Sequence, residues 1–449
     1  MYDDNGPLFQ DNDEQYTLGS GQETEEDVFQ PEEPVTMDFV PAFQVLPVLA
    51  EAQLAYFLLM LRTATHTRDN NRIPLNVCLI VDQSSSMRGD KLLAVKNAAR
   101  QVVDQLTVTD YFTLISFNDR PTTVVSCQRV SSRESIKSLI DSIDGRGGTE
   151  IAQGLYAGIQ EMRSALTTTN LNYILLLTDG QTYGDADRCV QLGEEAARRK
   201  IVVYPMGIGT DWNEDLLETV AAKSGGSSEY ITSPDQIVRI FMQKINQLRG
   251  TLTSASSLQF NPIPGGKLRQ VHRVSPNIAE LETMPNLQNG TECVEMNLGP
   301  LGRGSEYSLL MEIVLPPCTS GTYRIGELSV SFSEVGASRA NQVAVLPIGF
   351  SFANSIRPPQ INPEVKHIIE KVAAFKLQAK AWQDIASGDI ASGTKRLATV
   401  STRLLNMGEI DLASAVMDEV TNLKQRGSAS AEGKKRIKYG TRGLTSDFS

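Results

Sequence analysis

Three kinds of hydrophobic pattern succeed one another along this chain. From Val35 to Thr63, "VTMDFV" and "QLAYFLLMLRT" hold apolar and aromatic residues in short runs separated by Pro41 and Pro47, which predicts one or two strands. From Leu75 to about Gln247, unbroken apolar runs such as "LNVCLIVD", "NYILLLTDG" and "IVVYPMGIG" alternate with stretches of helical period. In "GDKLLAVKNAARQVVDQL", Leu92, Leu93, Val95, Ala99, Val102, Val103 and Leu106 fall close to one helix face. A strand that is apolar at every position must be covered on both sides. The rhythm therefore predicts an α/β fold, a doubly wound, mostly parallel sheet with helices on both faces.

From about Gly250 to Phe352 the texture changes to short runs such as "SLQFNPI", "SEYSLLMEIVL" and "QVAVLPIGFSFA" between Gly, Pro and Asn turns, which suggests a β-sandwich. The strands of 35–63 have no sheet of their own, so they are expected to join it and make the α/β domain an insertion. After "RPPQINPEV", Val365, Ile368, Ile369, Val372, Phe375, Ala379 and Trp382 mark one face of a long helix, and two more helical stretches follow. A helical hairpin or three-helix bundle is expected. The reading divides the chain into 1–34 (tail), 35–74 (strands joining the sandwich), 75–248 (α/β domain), 249–353 (sandwich), 354–427 (helices) and 428–449, a polar end expected to be flexible.

Charge sharpens this at one place. Residues 1–34 hold 11 of the 53 acids and none of the 42 bases, so the remainder of the chain is formally neutral. So acidic and weakly apolar a segment is expected to be a disordered tail. The body has no broad basic face, which argues against nucleic acid as a partner. Its longest apolar run, "LAYFLLML", is too short to span a bilayer. The five cysteines are scattered without a CxxC pair, and "MYDDNGPLFQ" lacks the basic-then-apolar start of a signal peptide. Reduced thiols and a cytoplasmic location are the expectation.

In a doubly wound sheet, ligands bind beyond the carboxyl ends of the strands. Three loops at such ends carry oxygen-bearing side chains: "VDQSSSM" with Asp82, Ser84 and Ser86, "RGGTE" with Thr149, and "LLTDG" with Asp179. No His or Cys joins them. An all-oxygen set suits a hard divalent ion, Mg²⁺ first, with Mn²⁺ or Ca²⁺ as alternatives. Each residue alone has an ordinary explanation, since Ser and Thr cap helices. Asp119, at another strand end in "FNDRP", is a neighbour to watch.

The order DxSxS, then a distant Thr, then a distant Asp resembles the metal-ion-dependent adhesion site (MIDAS) of von Willebrand factor type A (VWA) domains. The stretches "GGT", "LLTDG" and "GIGTDWNEDLLETVA" add to the resemblance, which covers about Leu75 to Leu248. Ser85 departs from it, because many members have Gly there; no ligand is lost. The resemblance implies that Ser84, Ser86 and Thr149 bind the ion directly. Asp82 and Asp179 would then act through waters or hydrogen bonds. It also implies an open ion position that an Asp or Glu of a protein partner completes. The wider architecture resembles prokaryotic, intracellular VWA proteins, some of which work beside MoxR-type AAA+ ATPases, or beside kinases and phosphothreonine readers.

Other functions are less well supported. Arg88-Gly89-Asp90 spells an adhesion signal, but Asp90 reads as a first-turn helix acid. No GxxxxGK[ST] or GxSxG is present, and the three histidines (His66, His272, His367) have no catalytic context. A non-enzymatic, metal-dependent interaction or scaffold protein is the leading expectation. An accessory subunit of an AAA+ ATPase comes second, and an extracellular adhesin last. The tail's carboxylates invite a contact with the metal position in cis. Thr24, among acids in "QETEEDVF", resembles an acidophilic kinase site.

Overall fold

Between Leu75 and Arg249 the chain does alternate. After β1 (Val35–Pro41), β2 (Val45–Pro47) and β3 (Gln53–Thr63) come β4 (Leu75–Asp82), α1 (Asp90–Gln105), β5 (Tyr111–Phe117), β6 (Pro121–Arg129), α2 (Arg133–Asp141), α3 (Ile151–Glu161), β7 (Leu171–Thr178), α4 (Ala186–Arg198), β8 (Ile201–Ile208), α5 (Glu214–Ser224), β9 (Glu229–Ile231) and α6 (Gln236–Arg249). The computed structural model describes residues 33–65, 73–167, 170–182, 184–288, 291–334, 342–354 and 360–445. The acidic segment up to residue 32, Thr24 included, lies outside them, and residues 33–449 form one unit.

The α/β sheet has the order β6-β5-β4-β7-β8-β9, parallel except for the edge strand β6. All eight residues of β4, of β7 and of β8 are buried. Helices α1 and α6 cover one face, where Val95 and Phe241 meet Leu79 and Leu177. Helices α3, α4 and α5 cover the other, with Leu155 and Leu192 against Ile80 and Leu176. The strand order reverses between β4 and β7, so a crevice opens at their carboxyl ends.

Helix α3 lies unusually close to the sheet. A Cβ on Gly158 would come within 2.6 Å of Ile80 Cδ1, and one on Gly154 within 2.8 Å of the Phe117 ring. The valine variant of Gly158 is expected to destabilise the protein by about 1–3 kcal/mol, as overpacked cores do. Because α3 starts two residues after Thr149, it should also move that residue. Denaturant unfolding reads the first effect.

Among the described residues, eight strands follow α6: β10 (Thr253–Pro262), β11 (Lys267–Ser275), β12 (Ala279–Glu280), β13 (Met284–Gln288), β14 (Thr291–Asn297), β15 (Glu306–Leu315), β16 (Gly321–Glu334) and β17 (Gln342–Ala353). They form two sheets with the first three strands, in the orders β1-β3-β15-β11-β12 and β13-β14-β10-β16-β17-β2. Strand β3 pairs antiparallel with β15 from Arg62↔Glu306 to Gln53↔Leu315. Phe57, Leu59 and Leu61 of β3 share one core with Leu258, Phe260 and Val330 of the other sheet. Side chains alternate along a strand, so Leu58 of β3 and Leu310 of β15 point the other way, into a second core with the helices. Burial on both faces is why "LAYFLLML" is apolar without interruption.

The helices are α7 (Pro363–Ala386), α8 (Ile390–Asn406), α9 (Ile410–Arg426) and α10 (Ala431–Arg442). Asn362 caps α7, accepting from the backbone N–H groups of Glu364 and Val365, with Pro363 at the first position. No described helix is long and apolar enough to cross a membrane. Residues 446–449 lie outside the described residues; over 431–442, helix α10 corrects the expectation of a flexible end. Ser430 caps it, and its Lys435, Ile437, Thr441 and Arg442 are buried. Its lysines find carboxylates on α5, more than 200 residues away: Lys435 to Glu214 at 3.0 Å, Lys438 to Asp215 at 2.6 Å. The Tyr439 ring packs at a tilt against those of Trp212 and Tyr230, at centroid distances of 6.0 and 5.6 Å.

Candidate metal centre

Strand β4 ends at Asp82, which is fully buried. One carboxylate oxygen accepts from the Ser84 N–H at 2.8 Å, the other from Thr178 Oγ1 at 2.6 Å. Burial is the largest influence on this carboxyl and raises it above its usual range. The hydrogen bonds from Thr178 and Ser84 pull it back, and neighbouring Asp179 raises it again. The chain then makes one 3-10 turn (Ser85–Met87), and Gly89 at φ 78° turns it into α1. Ser84 is buried and Ser86 exposed, and their hydroxyl oxygens lie 3.0 Å apart. Ser86 Oγ donates to Asp179 Oδ1 at 2.7 Å, which joins the end of β4 to the residue after β7.

Thr149 comes from the loop before α3, and that loop is zipped onto the first one. Arg146 N–H donates to the Gln83 carbonyl at 2.6 Å, Ser85 N–H to Gly147 at 3.1 Å, and the Arg88 guanidinium to the Gly145 carbonyl at 2.6 Å. The Arg of the RGD is thus a structural tie, and Asp90 stands in the first turn of α1. Thr149 is buried, and a Cβ on Gly180 would come within 3.0 Å of its Oγ1, so Thr149 faces the Asp179 turn. All five predicted site residues are brought to the carboxyl edge of β4 and β7.

Asp119 approaches the same loop. Both its carboxylate oxygens accept from the Gly148 N–H, at 3.2 and 3.1 Å, so it holds the backbone one residue before Thr149. Two further participants have no counterpart in the sequence reading. Thr178, the residue before Asp179, fixes the Asp82 carboxylate. Lys91 reaches across from the first turn of α1, with Nζ 2.5 Å from Asp179 Oδ2, and its side chain is 32% exposed. The "LLTDG" stretch holds a signal for Thr178. Nothing local marks Lys91, because a lysine on a helix normally reads as solvated.

Among the described residues, no group of three or more His, Cys, Asp and Glu is placed to hold a metal ion. A centre here must be built on hydroxyls. The donor set fits a hard cation on that basis: Ser84, Ser86 and Thr149 supply neutral oxygens, and Asp82 and Asp179 supply the balancing charge. Lys91 is the one feature opposed to it, since its ammonium already occupies one oxygen of Asp179.

Comparison with known proteins places the chain in a family. Residues 76–245 match the von Willebrand factor type A domain, and residues 363–447 match the Sll0103-like C-terminal alpha-helical domain. The Synechocystis protein named "Uncharacterized protein sll0103" is 30% identical over 372 residues, which span 82% of this chain and 87% of that protein. Among solved structures, a von Willebrand factor type A protein from Catenulispora acidiphila superposes with a TM-score of 0.74 at 18% identity, covering 91% of this chain and 96% of that one. The ArnB paralog VWA2 from Sulfolobus acidocaldarius has a TM-score of 0.52 at 13% identity, covering 92% and 100%. These two likenesses are of fold. The chain belongs to the family of the Synechocystis protein, with a von Willebrand factor type A domain followed by the Sll0103-like helical domain.

Proposed function

We propose that Asp82, Ser84, Ser86, Thr149 and Asp179 form a metal-ion-dependent adhesion site for a divalent ion, Mg²⁺ first and Mn²⁺ or Ca²⁺ as alternatives. Through it the protein binds an Asp or Glu side chain of a protein partner, as a non-enzymatic, intracellular scaffold of the prokaryotic type. The observation that carries the reading is the convergence of hydroxyls on a pair of buried carboxylates, with Ser84 Oγ 3.0 Å from Ser86 Oγ and Ser86 Oγ 2.7 Å from Asp179. When bound, the ion supplies a Lewis-acidic position for an incoming carboxylate. The chain's own part is to orient the hydroxyls and to fix the Asp82 carboxylate through Thr178. Asp119 and Arg88 hold the Thr149 loop against the first one.

Exposed Ser86 beside buried Ser84, Thr149 and Asp179 supports access from solvent on one side only. The free thiols Cys78, Cys127, Cys189, Cys293 and Cys318 support a reducing compartment. The two sheets on a common core, antiparallel except where β2 runs parallel to β17, are read as a β-sandwich that frames the α/β domain.

A pull-down from cell extract with Mg²⁺ and with EDTA tests this, using Asp179→Asn as the control. Partners retained with Mg²⁺ and released by EDTA and by the variant are the expected result. Recovery of an AAA+ ATPase among them would assign the accessory-subunit role. Partners indifferent to both treatments would remove the metal mechanism.

A further inference from the structure

A second site lies away from the metal cluster. A cavity of about 800 Å³, partly open to solvent, lies between α4 and α5, the segment Ile278–Glu282 and helix α7. We propose that it binds a small amphipathic monocarboxylic acid. The size is that of a ligand pocket rather than a packing defect.

Helix α7 presents Phe375, Gln378 and Trp382 to the cavity, three residues at helical spacing on one face. Gln378 is 1% exposed and Trp382 9% exposed, and Gln378 Oε1 and Trp382 Nε1, both closed off behind the cavity surface, have no hydrogen-bond partner among the described residues. Buried polar atoms are almost always paired, so an acceptor and a donor just behind one wall ask for a complementary donor and acceptor, which a turn of either side chain toward the cavity would bring into reach. Ile278, Leu298 and the two aromatic rings give the apolar ground between them.

Arg273 supplies the charge. Of the wall's other cations, Lys223 pairs with Glu194 and Glu282, Lys434 with Glu214 and Asp215, Lys438 with Asp215 and Glu218, and Arg442 with Glu218, while Arg198 is exposed to solvent. Half-buried Arg273 instead donates, among the described residues, to Asn277 alone, at 2.7 Å to its side chain and 3.4 Å to its carbonyl. Burial first, and then the neighbouring Arg442, lower its pKa to about 10, so it stays charged at neutral pH. A guanidinium without an acid partner suits a carboxylate. Glu280 and Glu282 on the same wall would repel a dianion, which favours a monocarboxylate over a phosphate ester.

The chain has two tryptophans, so Trp212→Phe leaves Trp382 as the reporter. In that background the full-length protein is titrated with 1-naphthaleneacetate and with decanoate, which cover flat and acyl bodies. The neutral control is 1-naphthaleneacetamide. Saturable change in Trp382 fluorescence with one of the acids is expected. The amide should bind about tenfold more weakly, and Arg273→Met should lower acid affinity by a similar factor while sparing the amide. Ala379→Phe, which narrows the cavity, should abolish binding. If that variant fails to fold, Gln378→Leu, which removes an unpaired atom, should weaken binding in a folded protein. No saturation with either acid at millimolar concentration, or equal affinity for acid and amide, overturns the proposal. So does binding indifferent to both Arg273→Met and Gln378→Leu.

Discussion

Replacing Asp179 by asparagine is expected to weaken Mn²⁺ binding by roughly 10–100-fold, the effect of losing a carboxylate that orients metal ligands. The physical reason is charge and geometry together. Asp179 is 2% exposed and receives the Ser86 hydroxyl at 2.7 Å, so in the proposed centre it would both aim a ligand and neutralise the cation. The amide keeps the shape and loses the charge. Lys91 then loses its partner, but a side chain one-third exposed can turn to water, so folding should be preserved. Lys91→Met should move affinity the other way. Its ammonium competes for Asp179 with any incoming cation, and removing it leaves the carboxylate to the metal. Isothermal titration at pH 7 reads both variants. Opposite signs at two residues in contact would be hard to obtain from general destabilisation.

The second large effect concerns the joint between the α/β domain and the helices. Lys435→Met is expected to destabilise the protein by about 3 kcal/mol, the lower end of the range for breaking a buried ion pair. Lys435 is buried, lies 3.0 Å from Glu214 and 2.9 Å from the Thr210 carbonyl, and sits over the Trp212 ring at 4.8 Å. The lower end applies because Lys434 still pairs with Glu214 at 2.5 Å. Denaturation followed by tryptophan fluorescence measures it, and a Glu214→Leu, Lys435→Met double variant should recover much of the loss.

The same pair gives a pH dependence. Burial opposes ionisation of Glu214, but Lys434, its own backbone amide and Lys435 overcome it and hold the carboxyl at about 2, below its ordinary 4.5. A depressed acid stabilises the fold above its unfolded pKa. That contribution is therefore present above pH 4.5 and fades as pH falls toward 2. Lys435→Met should flatten the stability profile across that window.

Much of the α/β domain was legible because its central strands are covered on both faces. Burial of all eight positions of β4 and of β7 leaves the apolar runs Val77–Val81 and Tyr173–Leu177, which end where the sheet meets solvent, and the first polar residues there are Asp82 after one and Thr178 and Asp179 after the other. Thr149 was legible only through the order of the motif, since it stands in a loop without periodicity. Lys91 was not, because the Asp179 it meets lies 88 residues away. Helix α10 failed for the same reason at larger scale. "KKRIKYGTR" reads as solvated until Glu214, Asp215 and Glu218 of α5 neutralise it. Strand β3 reads as a strand, but its double burial depends on helices more than 300 residues further on.

The most direct measurement is the Mn²⁺ stoichiometry of the purified protein, followed by electron paramagnetic resonance with Mg²⁺ as competitor. One Mn²⁺ per chain, displaced by Mg²⁺ and lost in a Ser86→Ala, Thr149→Val double variant that still folds, is the expected result. No saturable Mn²⁺ binding, or binding of equal strength in the double variant, would contradict a metal centre at these hydroxyls.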